Sequence, residues 1–533
     1  LCRFDAARAY NRGTVKMLNE VLTLDGHSLR LEDLEPCLRG APLRLELAPR
    51  ARQAVALARG LVDAHIEAGD IVYGLTTGFG KLKSVAIARG DLAQLQRNLV
   101  LSHCCGVGEP LAIGEVRAAQ ICRINELARG HSGVRVELLE ALVRQFNAGF
   151  VPVVPQQGSV GASGDLAPLA HMAAAAMGVG EAYVWTPGGE RRMSAAEALK
   201  AIGEAPLEYQ AKEGLAVING TEVMKAVGAL VLLRARNLSK CADVLAALSI
   251  EALHGSARPF EARFALLKGQ PSHGRASANV RKCLTNSEVL ESHANCTRVQ
   301  DAYSLRCTPQ VHGAFKAALE HVEQVFAAEL NSVTDNPVIF AETGEVVSAG
   351  QFHGQPIAIP LDYLAAALAT LANISERRLE QLVNPDISRL PAFLTPNPGL
   401  NSGFMIAQVT AASLASENKS LAHPASVDTI PTSANQEDHV SMGLTAARKA
   451  RAICANTESV LAIEWLASAQ AREFHAELRA GDGAQAAHEF LRRHVAKLEQ
   501  DRYFHADIES ARALLAGGEL AAAVERVTGP LET

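Results

Sequence analysis

Gly158-Ser-Val-Gly-Ala-Ser-Gly-Asp-Leu-Ala-Pro-Leu-Ala-His171 is the stretch around which the rest of the chain is organised. Glycines at 158, 161 and 164, with alanine and serine between them, let the backbone turn through conformations closed to larger side chains. Asp165 is placed to cap a helix expected from Leu166 to Met177, and Pro168 suits its first turn, where a missing N–H costs nothing. A tight loop of small residues running into a helix N-terminus suits backbone chemistry or anion binding. Two familiar motifs are excluded. Gly161-Ala-Ser-Gly-Asp165 lacks the second glycine of a Gly-x-Ser-x-Gly elbow, and no lysine follows as a phosphate-binding loop requires. A plain glycine-rich turn before an alanine-rich helix is the bland alternative.

Outward from this loop, composition sets the class. The 533 residues can bury a large core; 48% are hydrophobic but only 5% aromatic, with alanine and leucine abundant, which favours helix. A net charge of −6 with scattered Lys and Arg leaves no footprint for nucleic acid and fits a small zwitterionic partner. Ten cysteines include no Cys-x-x-Cys pair; the adjacent Cys104 and Cys105 suggest neither zinc ribbon nor disulfide framework, and reduced thiols point to a cytoplasmic protein. Leu1-Cys-Arg-Phe-Asp5 has no hydrophobic run of the signal-peptide kind. The most apolar stretch, Tyr363 to Ala372, is too short for a bilayer, so no membrane partner is expected.

In chain order, a helix is expected from Arg50 to Ala68, then Ile71-Val-Tyr-Gly-Leu-Thr-Thr-Gly-Phe-Gly-Lys-Leu82, a β-like run breaking into glycines that misses the P-loop pattern at Leu75 and Leu82. Asp91 to Cys105 reads as a helix with Leu92, Leu95 and Leu99 on one stripe, so His103 should point inward. A second amphipathic helix covers Val136 to Ala148, followed by extended Pro152-Val-Val-Pro155 and a surface turn over Trp185 to Glu190. Ala211 to Thr221 ends in an Asn-Gly turn, with Thr221 a natural N-cap. Long helical patterns follow over Glu222 to His254, Gly313 to Leu330, Leu361 to Leu382, Phe404 to Leu421 and Leu444 to Gln470, several apolar nearly all round. Gln300, Tyr303 and Arg306 share a face if helical, and the Arg306 fork suits a carboxylate. His423 to His439 is long, polar and aperiodic. Its Glu437, Asp438 and His439 have no second ligand cluster, and His488-Glu489 with His494 misses zinc spacing, so no metal is expected.

Gly161-Ala-Ser-Gly-Asp-Leu-Ala-Pro-Leu169 resembles the signature of the aromatic amino acid ammonia-lyases, and similar blocks recur in that family's order from Tyr73 to Met442. The resemblance implies that Ala162, Ser163 and Gly164 cyclise with loss of two waters into 4-methylideneimidazol-5-one (MIO), an electrophile needing no external cofactor. It implies that Tyr73, in a Tyr-Gly-x-x-Thr-Gly-Phe-Gly block, is the catalytic base; a free phenol near pKa 10 needs positive potential for that task. Ser102-His103 resembles the selectivity pair of the histidine-specific members, although Cys104-Cys105 stands where two alanines are more usual. Asn219, Gln300, Tyr303 and Arg306 match substrate-contacting positions, with Tyr303 also catalytic. Asn331 to Pro337 resembles the Ser-Asp-Asn-Pro turn. Gly350-Gln-Phe-His353 resembles Gly-Asn-Phe-His, giving Phe352 a packing role and leaving Gln351 as a departure. Glu437 separates histidine-specific members from relatives with glutamine there.

The implied reaction is loss of ammonia from L-histidine to give trans-urocanate, by a carbon–nitrogen lyase. The implied fold is mainly α: a long central helical bundle with a smaller mixed N-terminal part carrying the electrophile loop, related to the fumarase and aspartase type. Residues 1–221 would hold Tyr73 and the loop and residues 222–533 the bundle, as one continuous unit that assembles into a homotetramer. The rivals are a phenylalanine or tyrosine ammonia-lyase or a 2,3-aminomutase, against which His103 and Glu437 argue. The fumarase group itself lacks support, because its Gly-Ser-x-x-Met-Pro-x-Lys loop is absent. From another class, an inactive helical scaffold would keep its encoded mass.

Overall fold

The computed structural model describes residues 21–78, 85–296 and 298–533. The N-terminal stretch 1–5 and the end of the glycine-rich block, residues 79–82, lie outside them. Helix dominates. The five long patterns become Glu222–Ala252, Thr308–Glu329, Gln355–Val383, Met405–Leu421 and Gly443–Arg472. The third, expected from Leu361, begins at Gln355, with Pro360 inside it and with Ile357 and Ala358 N–H both bonded to Gly354 O. By length and mean hydropathy Gln355–Val383 would suffice to cross a membrane, but 67% of its apolar window is buried within the protein. That burial makes it a core helix.

The chain divides into two compact units. The first comprises Leu1–Leu230, Val325–Ile359 and Ala425–Ala447, the second Val231–Gln324, Pro360–Pro424 and Arg448–Thr533. All the described sheets lie in the first. Val21–Leu24 pairs in parallel with Arg44–Leu47, Val107–Pro110 pairs with Pro155–Gln157, and Val338–Phe340 with Glu345–Val347. Phe150–Pro152, Glu181–Thr186 and Gly189–Ser194 form an antiparallel three-stranded sheet. The turn expected over Trp185 to Glu190 is the closed end of that hairpin, with Trp185 opposite Glu190.

Helix capping departs from expectation. Leu166–Ala176 starts after Asp165, but the Asp165 carboxylate makes no bond to its own helix. It accepts instead from Met224 N–H at 2.7 Å, in the first turn of Glu222–Ala252. Thr221, the expected cap there, is 1% exposed and its hydroxyl has no hydrogen-bond partner. A carboxylate outcompetes a hydroxyl at a helix N-terminus, because it adds charge–dipole attraction to the hydrogen bond. The exchange ties the electrophile loop to a long buried helix.

The second unit packs its helices around charged pairs as well as apolar stripes. Arg378 and Glu464, both 0% exposed, meet with Nη2 to Oε2 at 2.9 Å, and Ser249 and Ser375 hydroxyls donate to the same carboxylate at 2.7 and 2.6 Å. His254, at φ +49, stacks on His293 with ring centroids 5.1 Å apart and meets His475 at 4.3 Å. Burial, aided by His475, His293, Arg472 and Arg298, pushes the His254 ring down to about 4. A histidine lowered in the folded state favours folding fully above its unfolded value near 6.5, and that contribution is lost as pH falls toward 4. His254→Phe should therefore flatten the acid side of the thermal-stability profile between pH 6.5 and 4, by about 1–2 kcal/mol after allowing for solvent screening. Parallel profiles for the two proteins would contradict this.

Candidate active site

The Gly158–His171 loop is held by its own backbone against the Asn219-Gly220 turn. Asp165 N–H donates to Gly220 O at 2.7 Å, Gly220 N–H to Ser163 O at 3.4 Å, and Gly164 and Gly220 form a parallel bridge. At Gly164, φ is +69 and a Cβ would lie 1.9 Å from Gly220 O, so no other residue fits. Ser159 Oγ lies 3.0 Å from Gly164 O and accepts from Gly161 N–H at 3.1 Å, pinching the loop from the other side. Ala162 and Gly164 are buried while Ser163 between them is half-exposed. A compressed loop with two buried small residues and an accessible central serine is what a ring made from Ala162-Ser163-Gly164 requires, so the residues present fit an MIO group.

Asp165, 0% exposed, has its carboxyl pushed up to about 7 by burial, with Glu222 adding to the rise and the Met224 and Val223 N–H groups opposing it. Beneath it runs a buried ionic network. Arg123 bonds Glu222 and, at 3.1 Å, Glu126; Lys225 meets Glu222 at 3.1 Å; Thr334 Oγ1 donates to Glu222 at 2.7 Å. Arg123 Nη2 also donates to Asn219 O at 3.0 Å. Buried pairs of this kind fix geometry more than they add net stability. Asn219, 3% exposed, spends both hydrogens of its amide on Asp335 Oδ1 at 3.1 Å and Asn336 O at 3.2 Å, while fully buried Lys212 bonds the other Asp335 oxygen. That arrangement leaves the Asn219 amide oxygen as the acceptor it presents.

Tyr73 is half-buried in the turn that follows the helix Pro49–Ala68, where Leu75 N–H and Thr76 N–H both bond Val72 O. Its neighbour Gly74, at φ +77, packs so closely that a Cβ would lie 2.7 Å from Pro337 Cδ. This brings the Tyr73 turn against the Asn336-Pro337 segment that holds Asn219.

On the other side of the loop, Met442 N–H donates to Val160 O at 2.8 Å and Ser441 Oγ to Gly161 O at 3.1 Å, while Ala162, Val440 and Met442 share a small apolar cluster. The polar stretch before them thereby reaches the loop, and Glu437 Oε1 lies 3.5 Å from Ser163 Oγ. The ring of His353, next to half-buried Phe352, stacks on His439 at 5.6 Å. His103 ends the helix Leu92–His103, two residues short of the expected end. Its Nδ1 lies 2.8 Å from Leu99 O; a carbonyl only accepts, so the proton is on Nδ1 and Nε2 keeps its lone pair. Burial holds the His103 ring below the usual histidine value, opposed by the Leu99 carbonyl and by the Glu437 carboxylate, so it is neutral at pH 7. Burial also pushes the Cys104 thiol up to about 11, and its S–H donates to Val100 O. It is a packed thiol, not a nucleophile.

Tyr73, His103, the Ala162–Gly164 loop, Asn219, Phe352 and Glu437 all belong to the first compact unit. Gln300, Tyr303 and Arg306 belong to the second. Only Tyr303–Arg306 is helical, so Gln300 does not share a helical face with them. The three still meet: Arg306 Nη2 donates to Gln300 Oε1 at 2.9 Å and its guanidinium lies 4.5 Å from the Tyr303 ring centroid. Arg306 Nε donates to Asp301 O, so the fork is pre-oriented by its own segment. Among the described residues no cluster of three or more His, Cys, Asp or Glu side chains is arranged to hold a metal ion. Lys212, Arg123 and Glu222, which brace Asn219 and Gly220, carry no motif of their own; only the oddity of charges inside apolar runs marks them in the sequence.

Comparison with known proteins gives this geometry a family. The family described as Aromatic amino acid lyase matches residues 29–493. Histidine ammonia-lyase of Anaeromyxobacter sp. (strain K) is 52% identical over 506 residues, covering 94% of this chain and 99% of that protein. The histidine ammonia-lyase of Natranaerobius thermophilus is 48% identical over 513 residues, 96% of this chain and all of its own. The crystal structure of histidine ammonia-lyase from Trypanosoma cruzi superposes with a TM-score of 0.88 at 39% identity, covering 95% of each chain. Tyrosine aminomutase from Streptomyces globisporus gives 0.89 at 36% identity, over 96% of this chain and all of that one. Members of this family use the MIO group. A family match over residues 29–493, relatives about half identical over nearly the full length and a shared helical fold lead to one conclusion: the chain belongs to the aromatic amino acid lyase family.

Proposed function

We propose that the chain eliminates ammonia from L-histidine to give trans-urocanate, at a site centred on Ala162-Ser163-Gly164. The observation that carries this is the Glu437 carboxylate 3.5 Å from Ser163 Oγ, with neutral His103 in its field. A carboxylate and an imidazole acceptor beside the reacting loop suit a substrate ring that carries N–H donors, and they penalise a phenyl ring, which leaves both unpaired. Once formed from residues 162–164, an MIO ring would supply an electrophilic carbon for the substrate amine.

The remaining groups bind, orient and move protons. Tyr73 takes the β-proton. Arg306 clamps the substrate carboxylate through its two-pronged donors, Gln300 and Tyr303 complete that polar shell, and Tyr303 serves the chemistry beside it. Asn219 offers its amide oxygen, His103 and Glu437 orient the imidazole, and Phe352 packs against the ring. Tyr303 is 69% exposed within one chain, as are Ile406 (64%) and Val409 (52%) on the helix Met405–Leu421. These surfaces support a homotetramer whose active sites draw on more than one copy. Small zwitterionic substrate, absence of a basic stripe and reduced thiols are consistent with a cytoplasmic enzyme.

The direct test adds L-histidine to purified protein and follows urocanate absorbance. His103→Leu combined with Glu437→Gln should lower turnover of L-histidine by about two orders of magnitude or more, far beyond any loss on L-phenylalanine. Equal losses on both substrates would undo the assignment. Conversion of tyrosine or phenylalanine to a β-amino acid without release of urocanate would make it an aminomutase.

A further inference from the structure

The turn that delivers Glu437 has a construction of its own. Thr432 N–H donates to Glu437 O at 2.9 Å and Glu437 N–H to Thr432 O at 3.3 Å, closing an antiparallel bridge. Between them Ser433, Ala434 and Asn435 stand at φ +50, +52 and +67. None is glycine, and the left-handed region disfavours every residue with a Cβ, asparagine least. Three in succession persist only where the surroundings enforce them, a form of strain that gathers at functional sites.

The side chains span the same gap. Thr432 Oγ1 donates to Glu437 Oε2 at 2.6 Å, a short bond to a charged acceptor. The other oxygen, Oε1, is the one facing Ser163 Oγ. Glutamate has three rotatable side-chain bonds, so a carboxylate half-open to solvent samples several positions unless one oxygen is tethered. Here the tether is a hydroxyl on the opposite end of the strained turn.

We propose that Thr432 is a positioning residue for substrate selection: acting through Glu437, its hydroxyl dictates which carboxylate oxygen meets the ring of the substrate. The proposal rests on the assignment of Glu437 to the imidazole of L-histidine. It adds that the strained turn and the Thr432 hydroxyl together set the aim of that carboxylate, and it predicts that the hydroxyl, not the bulk, of residue 432 matters.

The test compares wild-type enzyme with Thr432→Val, which keeps the shape and removes the hydroxyl, and Thr432→Ser, which keeps the hydroxyl. Thr432→Val should raise KM for L-histidine on the order of ten-fold, while Thr432→Ser stays within about two-fold of wild type. Both variants should keep the wild-type melting temperature within a few degrees and the same intact mass, so that neither folding nor loop cyclisation accounts for the change. An unchanged KM in Thr432→Val, or an equal rise in Thr432→Ser, overturns the proposal. So does a KM rise that comes with a lowered melting temperature or an altered mass. A crystal structure of Thr432→Val with both Glu437 oxygens where they were would overturn it whatever the substrate. Failure of wild-type enzyme to release urocanate would instead sink the substrate assignment, leaving that structure to decide the role of Thr432.

Discussion

Ser163→Ala is expected to leave a folded protein that does not become lighter than its encoded chain by two waters, with turnover of L-histidine lowered at least about a thousand-fold. The serine is half-exposed and its Oγ makes a contact of only 3.5 Å with Glu437, so its loss removes little that holds the fold. What it removes is the oxygen whose departure would create the exocyclic carbon of the ring. Intact mass spectrometry and urocanate absorbance on the same preparation check the two halves separately. A variant that keeps wild-type turnover would end the catalytic account, and a wild-type chain at its encoded mass would end it sooner.

Arg378→Leu should produce the largest loss of stability of any single substitution considered, about 3–5 kcal/mol. Arg378 and Glu464 are both fully buried, and Glu464 also receives hydroxyls from Ser249 and Ser375. Deleting the guanidinium leaves a carboxylate stranded among helices with only two neutral donors. The companion Arg378→Leu, Glu464→Leu should recover much of the loss, because an apolar pair no longer carries the desolvation cost. Equilibrium urea unfolding of the two variants measures both numbers. A single variant as stable as wild type would mean that Glu464 finds another partner or is protonated.

Much of this protein is legible as residue pattern. The five long helices announce themselves through apolar periodicity, because a helix that must bury most of its circumference can hardly be written otherwise. Their ends are less legible. The helix expected from Leu361 starts at Gln355 and carries Pro360 inside it, a position where the missing N–H gives up one helical bond. Gln300, Tyr303 and Arg306 are spaced for one helical face, yet Gln300 lies outside the helix and joins the others through the reach of Arg306. Spacing predicts a face only where the backbone is helical.

Capping shows the same division at the centre of the site. Asp165 and Thr221 each precede a helix and each fits the local rule for an N-cap. Burial decides otherwise: Asp165 reaches across to Met224 N–H and the Thr221 hydroxyl is left without a partner. A local rule ranks residues along one stretch of chain. It cannot see that a stronger acceptor arrives from 59 positions away.

By itself, then, the amino-acid order determined a helical lyase, the loop of small residues that can close on itself, and the residue types able to handle an imidazole and a carboxylate. The helical class follows from composition and periodicity and the small-residue loop from short spacing, while the lyase reading and the roles of the site residues are what the resemblance of short motifs implies; all of these survive in an unfolded chain. Only the folded arrangement decided that Gly164 must be glycine because Gly220 O occupies the space of a Cβ, that His103 is neutral with its proton on Nδ1, and that Glu437 is aimed at Ser163 by Thr432. Each of those depends on atoms brought together across the chain, or bent into a strained turn, where exclusion of water and of neighbouring atoms sets the charge and direction of every group.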